Sequence, residues 1–162
     1  MPHTRSSLWI ATEREEVFVR EAKQAVHKVL ATELKDKWKR ILLDALLWQI
    51  TVAHGKYTTR FRSVGVVEDG VILKDLRHDH VFTRRWLLEK LLAPSITAGL
   101  VDQILDKAVA CTVTKDEHNK KLAGMKEASG WERYECAGIL VYDCAVKSIR
   151  SFDWLKNEFP PL

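Results

Sequence analysis

Hydrophobic residues recur at helical spacing through the first third of the chain. From Val17 to Trp48 an apolar side chain returns every three or four residues, which is the repeat that gives a helix one apolar face. Thr12-Glu13-Arg14-Glu15 has the spacing of a capping box and predicts where the first helix begins. The pattern indicates either one long helix reaching about His54 or two helices broken near Ala31–Thr32.

The pattern changes after Gly55. The stretch from Lys56 to Arg62 alternates and is rich in residues that favour strands. Val64 to Leu73 is apolar and β-branched, apart from Glu68-Asp69-Gly70. Because Asp-Gly between valine-rich flanks is typical of a hairpin turn, the sequence predicts a small β unit over residues 57–75.

The remainder of the chain mixes short helices with short strands. The predicted helices are Thr83–Ala93, Ile96–Ala108, one beginning at a second capping box over Thr114–Glu117, and a helical or turn segment at Gly130–Tyr134. The predicted strands are Val109–Val113 and Ile139–Tyr142, and the aromatic tail after Phe152 is expected to pack on the domain. The predicted fold class is therefore α+β and α-rich, with a long N-terminal helical region, a small β unit, then mixed helices and short strands.

Length and composition fit one domain. The chain has 162 residues, of which 46% are hydrophobic, and this is enough for a sizeable core in a single domain over residues 1–162. No apolar run approaches ~18 residues, so no membrane segment is predicted, and the polar start predicts no secretory signal. Three cysteines without C-x-x-C spacing favour neither a disulfide framework nor a zinc site, so a cytoplasmic location is expected.

The chain has a net charge of +4, and its positive excess lies in the first ninety residues. Residues 56–90 hold eight basic and five acidic residues, whereas residues 91–162 hold nine basic and ten acidic residues. A basic field favours a polyanionic partner such as nucleic acid. Many soluble proteins carry a charge of this size without any nucleic-acid role.

Candidate phosphate contacts lie in and beside the segment that follows Gly55. Bases would stack on its aromatic rings while its cations contact phosphate. The alternative is a half-buried strand whose cations face water. The candidate nucleic-acid-binding residues are Lys56, Tyr57, Arg60, Arg62, Arg84 and Arg85.

Two short segments combine histidines with carboxylates. Arg77-His78-Asp79-His80-Val81 and Glu117-His118-Asn119-Lys120 hold three of the six histidines, and His and Asp bind divalent metals or move protons near neutral pH. On an extended segment His78 and His80 would share one face with Asp79 opposite, whereas on an irregular loop all three could converge. The alternative is structural, with a polar turn in the first segment and a solvated helix start in the second.

Together the two segments resemble the HNH (ββα-metal) endonuclease family over residues 75–122. Asp79-His80-Val81 resembles the acidic residue and histidine that close a strand in that family, and His118-Asn119-Lys120 resembles the end of its motif. The resemblance implies that His80 is the general base and that Asp79 and His118 bind one divalent ion, Mg²⁺, Mn²⁺ or Ni²⁺. His78 is a candidate for a further metal ligand.

The chain departs from the family pattern in several places. Val81-Phe82-Thr83 stands where a proline usually follows the first histidine, the middle residue of the motif has no counterpart, and two predicted helices separate the halves. The expected function is nucleic-acid binding with metal-dependent phosphodiester cleavage. The alternative is a non-enzymatic protein–protein interaction factor, such as an inhibitor, immunity or accessory protein. The sequence leaves the oligomeric state open.

Overall fold

Helices surround a single mixed sheet in the computed structural model, which describes residues 9–68, 71–125, 129–160 and 162. The helices are α1 (Glu13–Ala31), α2 (Asp36–Val52), α3 (Val64–Glu68), α4 (Arg84–Leu91), α5 (Ala98–Leu105), α6 (Trp131–Cys136) and α7 (Phe152–Glu158), with a 3₁₀ turn at Leu73–Asp75 and a π-helix at Glu117–Leu122. The strands are β1 (Phe61–Ser63), β2 (Leu76–His80), β3 (Ala110–Thr114), β4 (Val141–Asp143) and β5 (Ser148–Arg150). This architecture confirms the predicted α+β, α-rich class.

The N-terminal helical region consists of two helices, which is one of the two arrangements that the sequence predicts. Thr12 Oγ1 accepts a hydrogen bond from the Glu15 amide, and the Glu15 carboxylate accepts one from the Thr12 amide. The predicted capping box therefore starts α1. The helix ends at Ala31, and Thr32 takes an extended conformation with ψ 161°. The chain then reverses so that α2 packs against α1.

The sheet has the strand order β2-β3-β1-β4-β5. The central pair β1 and β3 is parallel, and the other neighbouring pairs are antiparallel. In the β2–β3 register His78 lies opposite Thr112 and Asp79 lies opposite Cys111. The strand that carries the His-Asp-His cluster is therefore an edge strand whose inner neighbour leads directly into the second histidine segment.

The predicted β unit over residues 57–75 is largely wrong. Of that stretch only Phe61–Ser63 is a strand, and the valine-rich run that follows forms α3. The Asp69-Gly70 turn itself lies outside the described residues. β1 finds its partners far along the chain, in β3 and β4, and local alternation cannot reveal pairing of that kind.

The core fills the space between the sheet and its helices. The Phe61 ring contacts the rings of Trp131 and Phe159, with centroids 5.1 and 6.0 Å apart, and Leu155 of α7 is fully buried. The aromatic tail thus packs on the domain as predicted. Among the described helices, none combines the length and the apolar character that a membrane crossing needs.

Candidate functional site

The three side chains of the His78-Asp79-His80 cluster on β2 alternate between the two faces of the sheet. His78 and His80 face α2, where both imidazoles contact the Trp48 ring. Asp79 points the other way, toward α6. Because the cluster is extended, successive side chains point to opposite faces of the sheet, and only side chains on the same face can lie close together. His80 and Asp79 are sequence neighbours but cannot share one reaction centre.

Asp79 is a buried carboxylate with a fixed orientation. Its side chain is only 6% exposed. Oδ2 accepts a hydrogen bond from the Tyr134 hydroxyl at 2.6 Å and another from the Arg133 guanidinium. Arg133 also donates to the His80 carbonyl at 2.8 Å. Because Oδ2 accepts both of these hydrogen bonds, Oδ1 is the carboxylate oxygen that remains for an interaction with a neighbouring side chain.

That neighbour is His118, which the second capping box positions. The Thr114 amide donates to Glu117 Oε2 at 2.8 Å, and the Glu117 amide donates to Thr114 Oγ1 at 3.1 Å. The buried Ser63 hydroxyl donates a second hydrogen bond to Glu117 Oε2, 2.6 Å long. These contacts join the start of the π-helix to β1 and β3, so His118 stands on a rigid support.

The His118 imidazole bridges the interior and the surface. Its Nε2 lies 3.8 Å from Asp79 Oδ1, and its side chain is 38% exposed. Its Nδ1 lies 3.1 Å from the side-chain oxygen of Asn119, a residue exposed to solvent. The arrangement is a buried carboxylate behind an accessible imidazole, which can orient the ring for proton transfer.

Two further ionisable groups beside Asp79 are held neutral. Burial raises the pKa of the Tyr134 phenol well above its ordinary value, and the nearby Cys111 and Asp79 act in the same direction. Burial likewise raises the pKa of the Cys111 thiol. Tyr134 therefore acts as a hydrogen-bond donor to Asp79, and Cys111 is a buried thiol rather than a nucleophile.

His80 is enclosed on the other face of β2. Both of its ring nitrogens are buried and have no hydrogen-bond partner among the described residues. Burial lowers the pKa of His80 to about 3, with His78, Arg84 and Arg133 acting in the same direction. The role of general base predicted for His80 does not fit this position, because water reaches neither nitrogen.

His78 is occupied by local contacts. Its Nδ1 lies 2.7 Å from the Lys56 carbonyl, and its Nε2 lies 3.4 Å from Thr51 Oγ1. Burial lowers the pKa of His78, although the Lys56 carbonyl opposes this shift. These bonds connect β2 to the end of α2 and to the segment after it, so His78 serves packing.

Two of the three predicted metal ligands converge. Two atoms that each lie ~2.1 Å from one ion are ~3–4 Å apart, and the Asp79–His118 separation of 3.8 Å falls in that range. His78 lies on the opposite face, and in the described part of the chain no three His, Cys, Asp or Glu side chains are grouped to hold an ion. The ligand set Asp79, His118 and His78 does not fit one coordination sphere, so the divalent cofactor stays a prediction.

The predicted phosphate contacts on β1 are structural. Arg62 is 3% exposed, and its Nε donates to the Thr59 carbonyl. Arg60 donates through Nε and Nη2 to Asp143, at 3.0 and 2.9 Å. Buried or paired in this way, neither guanidinium fits the predicted contact with phosphate.

The other candidates lie nearer the surface. Arg84 pairs with Asp44 at 2.9 Å, and the exposed Arg85 pairs with Glu89 on its own helix. The exposed Lys56 places its ammonium 5.2 Å from the centroid of the half-buried Tyr57 ring. For these four residues nucleic-acid binding stays a prediction.

Sequence patterns did not single out the residues that complete the site. The sequence predicts only a helical or turn segment around Arg133 and Tyr134, and it indicates no role for Ser63. The available signal was an arginine between the aromatic residues Trp131 and Tyr134, since a buried arginine needs a carboxylate partner. Comparison with family models, curated proteins and solved structures gave no match, so the functional argument rests on this geometry.

Proposed function

We propose that this protein binds nucleic acid and cleaves its phosphodiester bonds at a centre formed by His118 and Asp79. The observation that carries the proposal is the 3.8 Å approach of an accessible imidazole to a buried, oriented carboxylate. Such a pair suits the removal of a proton from an attacking hydroxyl or water. His118 Nδ1 is the atom that would take this proton once the Asn119 side chain moves aside.

The surface around His118 supplies positive charge for a phosphate. Lys115 and Lys121 lie within three residues of His118, and both are exposed. Lys120 is matched by Asp116 at 2.9 Å. No acidic partner is recorded for Lys115 or Lys121 among the described residues, so their charge is available to a polyanion.

The test is cleavage of fluorescent DNA and RNA oligonucleotides, single- and double-stranded, with EDTA, Mg²⁺, Mn²⁺ or Ni²⁺. We expect cleavage by the wild-type protein and a loss of about 100-fold or more in His118→Asn, because a positioned base contributes about that factor. His27→Asn is the matched control, since His27 contacts Asp102 on another part of the surface. Comparison of the assays with EDTA and with each ion shows whether a divalent ion takes part in cleavage. Absence of cleavage from every substrate, under all four conditions, would overturn the proposal.

A second candidate function is protein binding, favoured by an exposed apolar face on α2 and the turn before it. The residues that form this face recur at helical spacing and are 42 to 56% exposed, and they are Leu34, Trp38, Ile41 and Leu42. Clustered exposed apolar side chains are typical of interaction sites. A tryptophan at the centre of such a face is a frequent anchor in interfaces.

Site-specific photocrosslinking in cells tests this second candidate. A photoreactive phenylalanine analogue replaces Trp38 in one variant and Arg40, on the other side of α2, in a control variant. We expect one discrete adduct from position 38 and none from position 40. Equal adduct patterns from the two positions would indicate that the apolar face has no specific partner.

A further inference from the structure

A cavity of about 330 Å³ lies between the chain around Phe82 and α6, and neither Asp79 nor His118 lines it. Its walls include the aromatic rings of Phe82, Trp86 and Phe159. Volumes of this size accommodate small organic molecules. The polar groups that enter this space determine what kind of molecule fits.

Lys107 is the first of these groups. The residue is 3% exposed, and the one contact recorded for its ammonium within the described residues is the Phe82 ring, 5.8 Å away. Burial lowers the pKa of Lys107, although the adjacent Asp106 opposes this shift. Burial of an ammonium costs free energy unless an oxygen accepts a hydrogen bond from it, so a ligand that supplies an oxygen would be favoured beside Lys107.

Two neutral donors complete the set. Ser129 Oγ and Trp131 Nε1 are buried, line the cavity, and have no hydrogen-bond partner among the described residues. Gly130, between them, has φ +79°, and its amide donates to the Val81 carbonyl at 2.9 Å. A Cβ on Gly130 would lie 2.7 Å from Phe82 Cε1. Glycine at this position therefore allows the backbone to pack closely against the Phe82 ring, and this packing places Ser129 Oγ and Trp131 Nε1 at the cavity.

We propose that this cavity is a binding site for a small aromatic carboxylate. The ammonium of Lys107, the Trp131 indole N–H and the Ser129 hydroxyl can all donate, so the complementary group is an anionic acceptor. The aromatic walls suit a flat ring attached to it. Lys90 and Lys156 also line the cavity beside the acidic Glu132, and Lys156 is paired with Glu135 at 2.7 Å. This site is separate from the His118 centre and does not depend on the proposed function.

The test is calorimetric titration of the full chain with benzoate and indole-3-carboxylate, beside the neutral amides of both acids. We expect the acids to bind and the amides to bind at least tenfold more weakly. Phenyl phosphate, titrated in parallel, should bind at least tenfold more weakly than benzoate if the site selects a carboxylate. Lys107→Met should weaken acid binding at least tenfold, whereas Lys28→Met, an exposed lysine on α1, should leave it unchanged.

Thermal unfolding separates a ligand site from a packing role of Lys107. Methionine occupies a similar buried space without the cost of burying an ammonium, so the ligand-free Lys107→Met protein should keep at least the wild-type Tm. The acids should raise the Tm of the wild-type protein, and the amides should not. Equal binding of acids and amides, unchanged acid binding in Lys107→Met, or no effect of any acid on the wild-type Tm would overturn the proposal.

Discussion

His80 is the neighbour of Asp79 in the sequence, and His118 is its neighbour in space. Only one of these two histidines is placed where it can take part in proton transfer. His80 adjoins Asp79 in sequence but is enclosed beside Trp48 with both ring nitrogens buried. His118 is 39 positions away in sequence and meets Asp79 Oδ1 while remaining accessible. At the scale of single residues, the face of the strand therefore matters more than the spacing in the motif.

The burial of His80 makes the stability of the protein sensitive to acid. Its pKa is about 3 in the folded protein and about 6.5 in an unfolded chain, so between these values the unfolded state binds more protons. The contribution is fully present above about pH 6.5 and is lost as the pH falls toward 3. We expect the protonation of His80 alone to lower the free energy of unfolding by about 2 kcal/mol between pH 7 and pH 5.

Urea unfolding at pH 7 and pH 5 measures this difference. In His80→Phe the loss between the two pH values should shrink by about 2 kcal/mol, and the lowered pKa of His78 accounts for the loss that remains. His27→Asn, on α1, should retain the wild-type loss. An undiminished loss in His80→Phe would show that the imidazole of His80 does not resist protonation.

At the scale of elements, sequence patterns within one turn predicted the structure correctly, whereas strand pairing between distant segments was not predictable from them. Both capping boxes occur as the sequence predicts, because Thr12 with Glu15 and Thr114 with Glu117 bond within a single turn. The valine-rich run after Ser63 became a helix instead of a hairpin strand. Its β-propensity was outweighed by the pairing of β1 with β3 and β4, and no local pattern reveals those partners.

Asp143 links several elements and should be the most costly carboxylate to remove. It is fully buried, and it accepts hydrogen bonds from Arg60, Arg150 and the Ala145 amide. Asp143→Asn would leave two guanidinium groups without their charge partner. We expect the free energy of unfolding to fall by about 3 kcal/mol.

Urea denaturation of Asp143→Asn beside Asp116→Asn tests this expectation. Asp116 forms an exposed pair with Lys120, and loss of such a pair should cost less than about 0.5 kcal/mol. Equal costs for the two variants would contradict the structural role of Asp143.

At the scale of the whole molecule, the sequence indicated where the reactive groups are but not how they combine. The prediction that the segments around Asp79 and His118 form one site depended on a few motif positions, and the sheet brings those two side chains within 3.8 Å. Arg133 and Tyr134, which orient the carboxylate, come from a third segment. That assembly depends on the packing of α6 against β2, which no spacing in the sequence encodes.

The most direct measurement is the rate of oligonucleotide cleavage by His118→Asn and His80→Phe, compared under the same conditions with the wild-type protein. The geometry predicts a loss of about 100-fold or more in His118→Asn and a change of less than about threefold in His80→Phe, because His80 touches no solvent-accessible reaction centre. The opposite ranking, with activity lost in a folded His80→Phe protein and retained in His118→Asn, would contradict the account.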